Sequence, residues 1–96
     1  MKTEKNLHNY FRKKCLLHKI FFRKLGSTSG RGFPDVLVMH GGVLVFVELK
    51  SPQRTGRLSP LQVACIAEMQ GEGADVRVMS QPGEVDDLID ELLSGH

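Results

Sequence analysis

The spacing of apolar and polar positions divides the chain into seven segments of regular structure. Apolar side chains at helical spacing predict helices, and short runs rich in Val, Ile and Phe predict strands. The predicted elements, in chain order, are a helix at 3–19, strands at 20–25, 33–40 and 43–50, a helix at 60–71, a strand at 76–79 and a helix at 84–93. Thr3 is a suitable N-cap for the first helix, and Ser59 followed by Pro60 is a typical start for the second.

This order predicts an α/β fold with a mixed sheet flanked by helices, α-β-β-β-α-β-α. The third and fourth strands are separated by a helix, and that connection is long enough for a parallel crossover. The chain has 96 residues, so we expect one domain over residues 1–96. A domain of this size buries a modest share of its surface, which favours assembly into a homodimer.

Two glycines between apolar runs predict a tight hairpin and fix its register. If Gly41-Gly42 forms a two-residue loop, His40 lies opposite Val43, and opposed residue numbers sum to 83. Asp35 then lies opposite Glu48. A shift of one residue would move every side chain to the other face, so this inference depends on the two-residue loop.

The predicted register places two carboxylates and a lysine on one face of the sheet. Asp35 and Glu48 would have Cβ atoms about 4.5–5.5 Å apart, a distance at which two like charges repel. Lys50 follows Glu48 by two residues and shares its face. Glu48 and Lys50 alone are compatible with an ordinary solvated strand. Residues 43–49, however, are apolar at six of seven positions, so a paired or metal-bound Glu48 is the favoured interpretation.

The charges are distributed unevenly along the chain. Residues 1–31 contain nine lysines and arginines against one acid, whereas residues 68–96 contain eight acids against one arginine. A one-sided basic segment is what binding to a phosphate backbone requires. The same pattern is also compatible with a solvated helix face.

These residues together resemble the VRR-NUC domain of the PD-(D/E)xK nuclease superfamily, which has a restriction-endonuclease-like core. The resemblance rests on Gly32-Phe33-Pro34-Asp35, Val45-Phe46-Val47-Glu48-Leu49-Lys50 and Ser59-Pro60-Leu61-Gln62. It implies hydrolysis of DNA phosphodiesters that depends on Mg²⁺ or Mn²⁺. It also implies that Asp35, Glu48 and the Leu49 carbonyl bind the metal, while Lys50 positions the attacking water.

Two further site residues follow from the resemblance, and each has a simpler alternative. Gln62 matches the glutamine of the family, but Ser59 and Gln62 also fit a capping box. Glu4 is the one candidate for the acid that the family carries on its first helix. It lies on the helix face of Leu7, so it points inward, although a first-turn glutamate is also favoured by the helix dipole.

The expected partners are DNA and a second copy of the chain, with no organic cofactor. The candidate phosphate contacts are Arg12, Lys13, Lys14, Arg31, Arg54 and Arg57. No apolar run is long enough for a membrane span and no signal peptide is visible, so we expect a cytoplasmic protein of a bacterial or phage-infected cell. The resemblance suggests selective cutting of branched, flapped or junction DNA in replication or repair.

Three competing interpretations remain open at this point. In the first, the chain is a non-catalytic DNA-binding module on the same fold. In the second, it is a structural or partner-binding domain. In the third, it is a subunit of a larger restriction or repair complex. The first is disfavoured by the intact Asp35, Glu48 and Lys50. The second predicts no affinity for DNA and no effect of divalent ions on thermal stability.

Overall fold

Three helices and four strands follow one another in the predicted order α-β-β-β-α-β-α. The computed structural model describes residues 3–26, 30, 32–52 and 57–95. The elements are α1 (Glu4–Leu17), β1 (Phe21–Lys24), β2 (Val36–His40), β3 (Val43–Leu49), α2 (Pro60–Gly71), β4 (Val76–Met79) and α3 (Pro82–Leu93). The predicted α/β class is therefore confirmed.

The four strands form one mixed sheet in the order β1-β2-β3-β4. β1 pairs with β2, and β2 with β3, in antiparallel fashion, whereas β3 and β4 are parallel. The β2–β3 register runs from His40↔Val43 to Val36↔Val47, as predicted from the hairpin. Gly41 and Gly42 have φ values of +56° and +83°, which a two-residue turn of this kind requires.

The main core lies between one face of the sheet and the helices α1 and α3. Alternate residues of β2 and β3 point into it because side chains along a strand alternate faces. The fully buried side chains from these four elements include Val36, Val38, Val45, Val47, Leu7, Phe11, Cys15, Val85, Leu88, Ile89 and Leu92. Helix α2 lies over the opposite face and has Ile66 as its one buried residue.

Several boundaries differ from the prediction by one to three residues, and two of these differences have identifiable reasons. β2 begins at Val36, not at residue 33, since Pro34 has no N–H to donate to the ladder. α3 begins at Pro82, not at residue 84. Its first turn is stabilised because a Glu84 side-chain oxygen accepts hydrogen bonds from the N–H groups of Ser80 and Gln81. No helix in the described ranges is long and apolar enough to cross a membrane.

Candidate active site

The start of β2 and the end of β3 bring Asp35 and Glu48 to the same edge of the sheet. Asp35 directly precedes β2, and its Oδ2 accepts a hydrogen bond of 2.9 Å from the Leu49 N–H. Its own carbonyl accepts one from the Leu25 N–H at 2.7 Å. Glu48 is 2% exposed and is the one buried charged residue among those described. The backbone therefore fixes both carboxylates at the same end of neighbouring strands.

Glu48 has two polar partners, and both contact the same carboxylate oxygen. Gln62 Nε2 donates to Glu48 Oε2 at 2.5 Å, and Lys50 Nζ lies 3.3 Å from that oxygen. Lys50 Nζ also donates to Gln62 Oε1 at 2.9 Å. The three side chains thus form a closed triangle of contacts at the end of β3.

Gln62 has its place in this triangle because it also caps α2. Gln62 Oε1 accepts a hydrogen bond from the Ser59 N–H at 2.9 Å, and Ser59 Oγ accepts one from the Gln62 N–H at 3.2 Å. With Oε1 occupied by two donors, the amide nitrogen is directed at Glu48. The capping box and the contact with Glu48 are therefore compatible, and one side-chain conformation makes both.

The other oxygen of Glu48, Oε1, is buried and has no hydrogen-bond partner among the described residues. The pKa of Glu48 is raised to about 7, mainly because burial removes water from the carboxylate. The nearby charge of Asp35 raises it further, Lys50 lowers it, and the charge of Glu4 adds a smaller increase. A carboxylate in this state is an unfilled acceptor that a cation would satisfy.

The donor set fits a hard divalent cation. Asp35 and Glu48 supply carboxylate oxygens, and the Leu49 N–H points toward Asp35. The Leu49 carbonyl points toward the same strand, because N–H and C=O of one residue in an antiparallel ladder face the same neighbour. The continued register would put Leu49 opposite Pro34, which has no N–H to donate to that carbonyl.

The described residues contain no cluster of three or more His, Cys, Asp or Glu side chains arranged as a ready metal site. That finding excludes a preformed protein cage of the zinc type in the described ranges. It is compatible with Mg²⁺, which keeps several waters and binds through one or two carboxylates. Asp35, Glu48 and the Leu49 carbonyl are therefore the residues that would hold such an ion.

Glu4 lies at the start of α1 and faces the same region. It lines a cleft of about 430 Å³ together with Asp35, and its charge contributes to the raised pKa of Glu48. The side chain is exposed. The prediction that Glu4 points inward is therefore wrong, because solvent reaches this residue at the start of α1. Its role as a metal ligand stays a prediction, and a first-turn glutamate that the helix dipole favours stays the alternative.

The predicted phosphate contacts fall at different places on the surface. Arg12 and Lys13 are exposed on α1, and Arg57 is exposed before α2. Lys14 lies on the flank of α1 that faces α3, where its Nζ is 3.4 Å from Asp86 Oδ1. Arg31 and Arg54 lie outside the described residues.

Gly32 contributes to the site in a way that the sequence analysis did not consider. Its φ is +80°, and a Cβ at this position would lie 2.5 Å from the carbonyl oxygen of Leu61 and 3.1 Å from the nitrogen of Gln62. The absence of a side chain therefore lets the first turn of α2 approach the loop before Asp35. The sequence shows a glycine shortly before β2, but the contact of that glycine with α2 depends on the tertiary structure.

Comparison with known proteins shows the family and the fold of this chain. The family model of the VRR-NUC domain matches residues 2–81. The chain belongs to the VRR-NUC family. A solved structure titled "VRR_NUC domain" is similar at 30% sequence identity with a TM-score of 0.80, covering 94% of this chain and 97% of that chain. No curated protein matches.

This VRR-NUC domain is accordingly a nuclease-family domain, and phosphodiester bonds are the bonds that such domains cleave. The cluster of Glu48, Lys50 and Gln62 lies beside Asp35 in the region that the family model covers. The incompletely satisfied carboxylate of Glu48 thus lies within the segment that the family model matches.

Proposed function

We propose that this VRR-NUC domain is a Mg²⁺- or Mn²⁺-dependent deoxyribonuclease, with Asp35, Glu48, Lys50 and Gln62 in its active site. The observation that carries the proposal is the buried Glu48 Oε1, which lacks a hydrogen-bond partner within the described ranges. A fold maintains such a group at a cost in stability, and a bound cation removes that cost. The matching family model supports a hydrolase acting on phosphodiesters.

The side chains of the triangle have distinct roles in this proposal. The metal, when bound, supplies a Lewis acid that lowers the pKa of its water and neutralises phosphate charge. Asp35, Glu48 and the Leu49 carbonyl hold that ion. Lys50, whose ammonium lies against Glu48, orients the attacking water and stabilises the charge that develops on the phosphate. Gln62 keeps both Glu48 and Lys50 in place.

DNA is the proposed substrate, and branched, flapped or junction DNA is the proposed preference. The support for DNA is the excess of basic residues in the first third of the chain, together with the family match. The sequence contains no motif of a recognition helix for a major groove, so the proposal assigns selectivity to DNA shape and not to base sequence. A role in replication or repair inside the cytoplasm of a bacterial or phage-infected cell is part of the same proposal.

A homodimer is the proposed assembly. Three exposed apolar side chains form a row across three strands, because Phe21 pairs with Met39 and Met39 with Leu44. This row lies at the hairpin end of the sheet, away from Asp35. A second copy that covers it would bury apolar surface and give one assembly that carries two active sites. Light scattering that gives the mass of a monomer at micromolar concentration would contradict this part.

The deciding experiment is cleavage of labelled linear, single-stranded, flapped and four-way-junction DNA in Mg²⁺, Mn²⁺ or EDTA. Wild type is compared with Glu48→Ala and Lys50→Ala, and with Glu68→Ala as a control on the exposed side of α2. We expect metal-dependent cutting that both active-site variants lose and the control retains. The preferred substrate is then read from the relative rates.

Two other results would replace the proposal. Tight binding of DNA without cutting in any metal would show a binding module or a subunit that needs a partner. Absence of both binding and cutting, with no effect of divalent ions on thermal stability, would favour a structural or partner-binding domain.

A further inference from the structure

A polar cleft opens beside the active site, between the first turns of α1 and the edge strand β1. Its volume is about 430 Å³, and it is lined by Glu4, Lys5, His8, Asn9, Lys24 and Asp35. One end of the cleft is therefore a proposed metal ligand. Glu4 was also a candidate metal ligand, whereas Lys5, His8, Asn9 and Lys24 were not among the individual site residues that the sequence suggested.

The cations of this cleft differ from several other cations of the chain because they lack an acidic partner. Lys14, Lys50 and Arg77 each form an ion pair. Lys5 and Lys24 form none within the described ranges, although Asp35 and Glu4 line the same cleft. Two cations without an ion pair in the described ranges therefore lie next to the active site, in a cleft that two carboxylates also line.

His8 reports how closely these charges approach one another. Its pKa is lowered, first by burial and then by the charge of Lys24, with a smaller contribution from Arg12, while Asp35 raises it. Charged groups of α1, β1 and Asp35 therefore lie close together around His8. A phosphate bound in the cleft would be attracted to Lys5 and Lys24.

A second hollow lies along the same helix, further from the active site. Its volume is about 310 Å³, and it is lined by Arg12, Leu16, Ile20 and Phe22. The rings of His8, which lines the first hollow, and Phe22, which lines the second, are in edge contact with centroids 5.6 Å apart. We refer to the two neighbouring hollows together as the α1–β1 groove.

We propose that the α1–β1 groove binds the phosphate backbone of the nucleic-acid strand adjacent to the bond that is cut. Lys24 and Lys5 contact the phosphate next to the scissile one, and Arg12 contacts the backbone further along the same strand. His8 and Asn9 form the polar wall between these contacts. This inference rests on the proposed nuclease function and specifies the direction in which the strand leaves the active site.

The test separates binding from cleavage. Affinity for a short labelled duplex is measured in EDTA over a series of salt concentrations, for wild type, Lys24→Gln and Lys5→Gln. The matched control is Lys19→Gln. Lys19 is exposed and borders the hollow beside the Gly41-Gly42 turn, at the opposite end of the sheet. All three substitutions remove one charge and retain a long polar side chain, and thermal melting of each variant checks that the fold is kept.

The expected result is a severalfold weaker affinity for Lys24→Gln and Lys5→Gln. Each should lower the slope of log affinity against log salt by about 0.9, the value for one lost contact to duplex phosphate. Lys19→Gln should match wild type in both quantities.

Two results would overturn the inference and are distinguishable from each other. If wild type cuts DNA and the Lys24 and Lys5 variants retain the slope of wild type, the strand does not pass through the groove while the nuclease function stands. If wild type neither binds nor cuts, the proposed function fails and the groove proposal fails with it.

Discussion

Two clusters of charged side chains lie on neighbouring strands of the same sheet, and only one of them is complete. On β4, Arg77 donates to both oxygens of Asp75 at 3.0 and 2.9 Å and also to Glu91 of α3. On β3, Glu48 shares Lys50 and Gln62 on one oxygen while the other oxygen has no partner in the described structure. The Arg77 cluster has one cation between two carboxylates and, in the described structure, no buried side-chain atom without a partner.

The two clusters also differ in exposure, which makes the contrast more informative. The side chains of Arg77, Asp75 and Glu91 are 32%, 42% and 38% exposed, so water screens them and their net contribution is small. The Glu48 side chain is 3% exposed, where an unsatisfied charge is most costly. The cluster with the unpartnered oxygen is thus the more buried of the two, where the unpartnered oxygen costs more stability. This is expected when a ligand completes the cluster.

The most direct test of the contrast compares the same substitution in the two clusters. Glu48→Gln removes the charge that would bind the metal, and we expect DNA cleavage to fall by roughly a thousandfold or more, about 4 kcal/mol in activation free energy. Glu91→Gln changes the satisfied cluster, and we expect cleavage within about twofold of wild type because its ion pair is exposed. The measurement is the rate of DNA cleavage by each variant under saturating Mn²⁺. Equal rates for the two variants would show that the two clusters do not differ in function.

The next largest expected effect is a loss of stability when α2 can no longer approach the loop before Asp35. Gly32→Ala should destabilise the fold by roughly 3 kcal/mol, since the new Cβ meets the Leu61 carbonyl at 2.5 Å and the φ of +80° disfavours a side chain. Gly42→Ala is the matched control. Its φ is +83° but nothing lies within 4 Å, so it should lose only about 1 kcal/mol of backbone strain. Urea unfolding measures both, and a similar loss in the two variants would refute the close contact.

The pH dependence of stability reports on the buried carboxylate itself. The pKa of Glu48 is raised to about 7 in the fold, so folding takes up a proton and the metal-free protein loses stability as pH rises from about 4.5 through 7. Glu48→Gln should therefore be more stable than wild type above pH 7, by at most roughly 3 kcal/mol, and show little difference at pH 4. Urea unfolding in EDTA at both pH values measures this. Glu91→Gln should show no such pH-dependent gain.

Metal affinity should depend on the same Glu48 carboxyl, but in the opposite direction, because it should rise with pH while the stability of the metal-free protein falls. Mn²⁺ requires the ionised Glu48, so its affinity should fall by about tenfold for each pH unit below 7 and level off above it. Titration calorimetry with the wild-type protein measures this affinity without DNA. An affinity that stays constant between pH 5.5 and 7 would show that the metal does not bind through Glu48.

The smallest effect concerns the cap that holds Gln62. Ser59→Ala removes the Oγ acceptor of the Gln62 N–H and should cost about 1 kcal/mol of stability. It should also reduce cleavage severalfold, whereas Ser59→Thr restores both. Glu84→Ala removes the corresponding contacts from the first turn of α3 and serves as the control. It should cost a similar stability without affecting cleavage, and a matching loss of cleavage would assign the effect of Ser59 to stability alone.

Local chemistry made much of this fold and part of the site predictable. The two-residue loop at Gly41-Gly42 fixed the pairing of β2 with β3, because turn geometry and the alternation of side chains leave one register compatible with a buried valine face. The same register brought Asp35 and Glu48 to one place before any long-range contact was considered. The start of β2 was less predictable, because strand propensity does not take into account that Pro34 has no N–H to donate to the ladder.

Contacts between distant segments had to be seen in the folded chain. Periodicity gave Lys14 and Lys13 the same basic character, yet one pairs with Asp86 of α3 and the other is exposed. The groove formed by Lys5, His8 and Lys24 joins a helix to an edge strand, so no local pattern could reveal it.

The sequence by itself determined the order of the elements, the hairpin register and the carboxylate pair, because each depends on interactions within a few residues or on strict alternation along a strand. Only the tertiary structure decided that Gln62 caps its helix and contacts Glu48 at once, and that Gly32 makes room for that helix. Those features depend on how α2 packs against the sheet. That packing is set by the burial of apolar side chains over the whole domain, so it cannot be predicted from any single segment of the sequence.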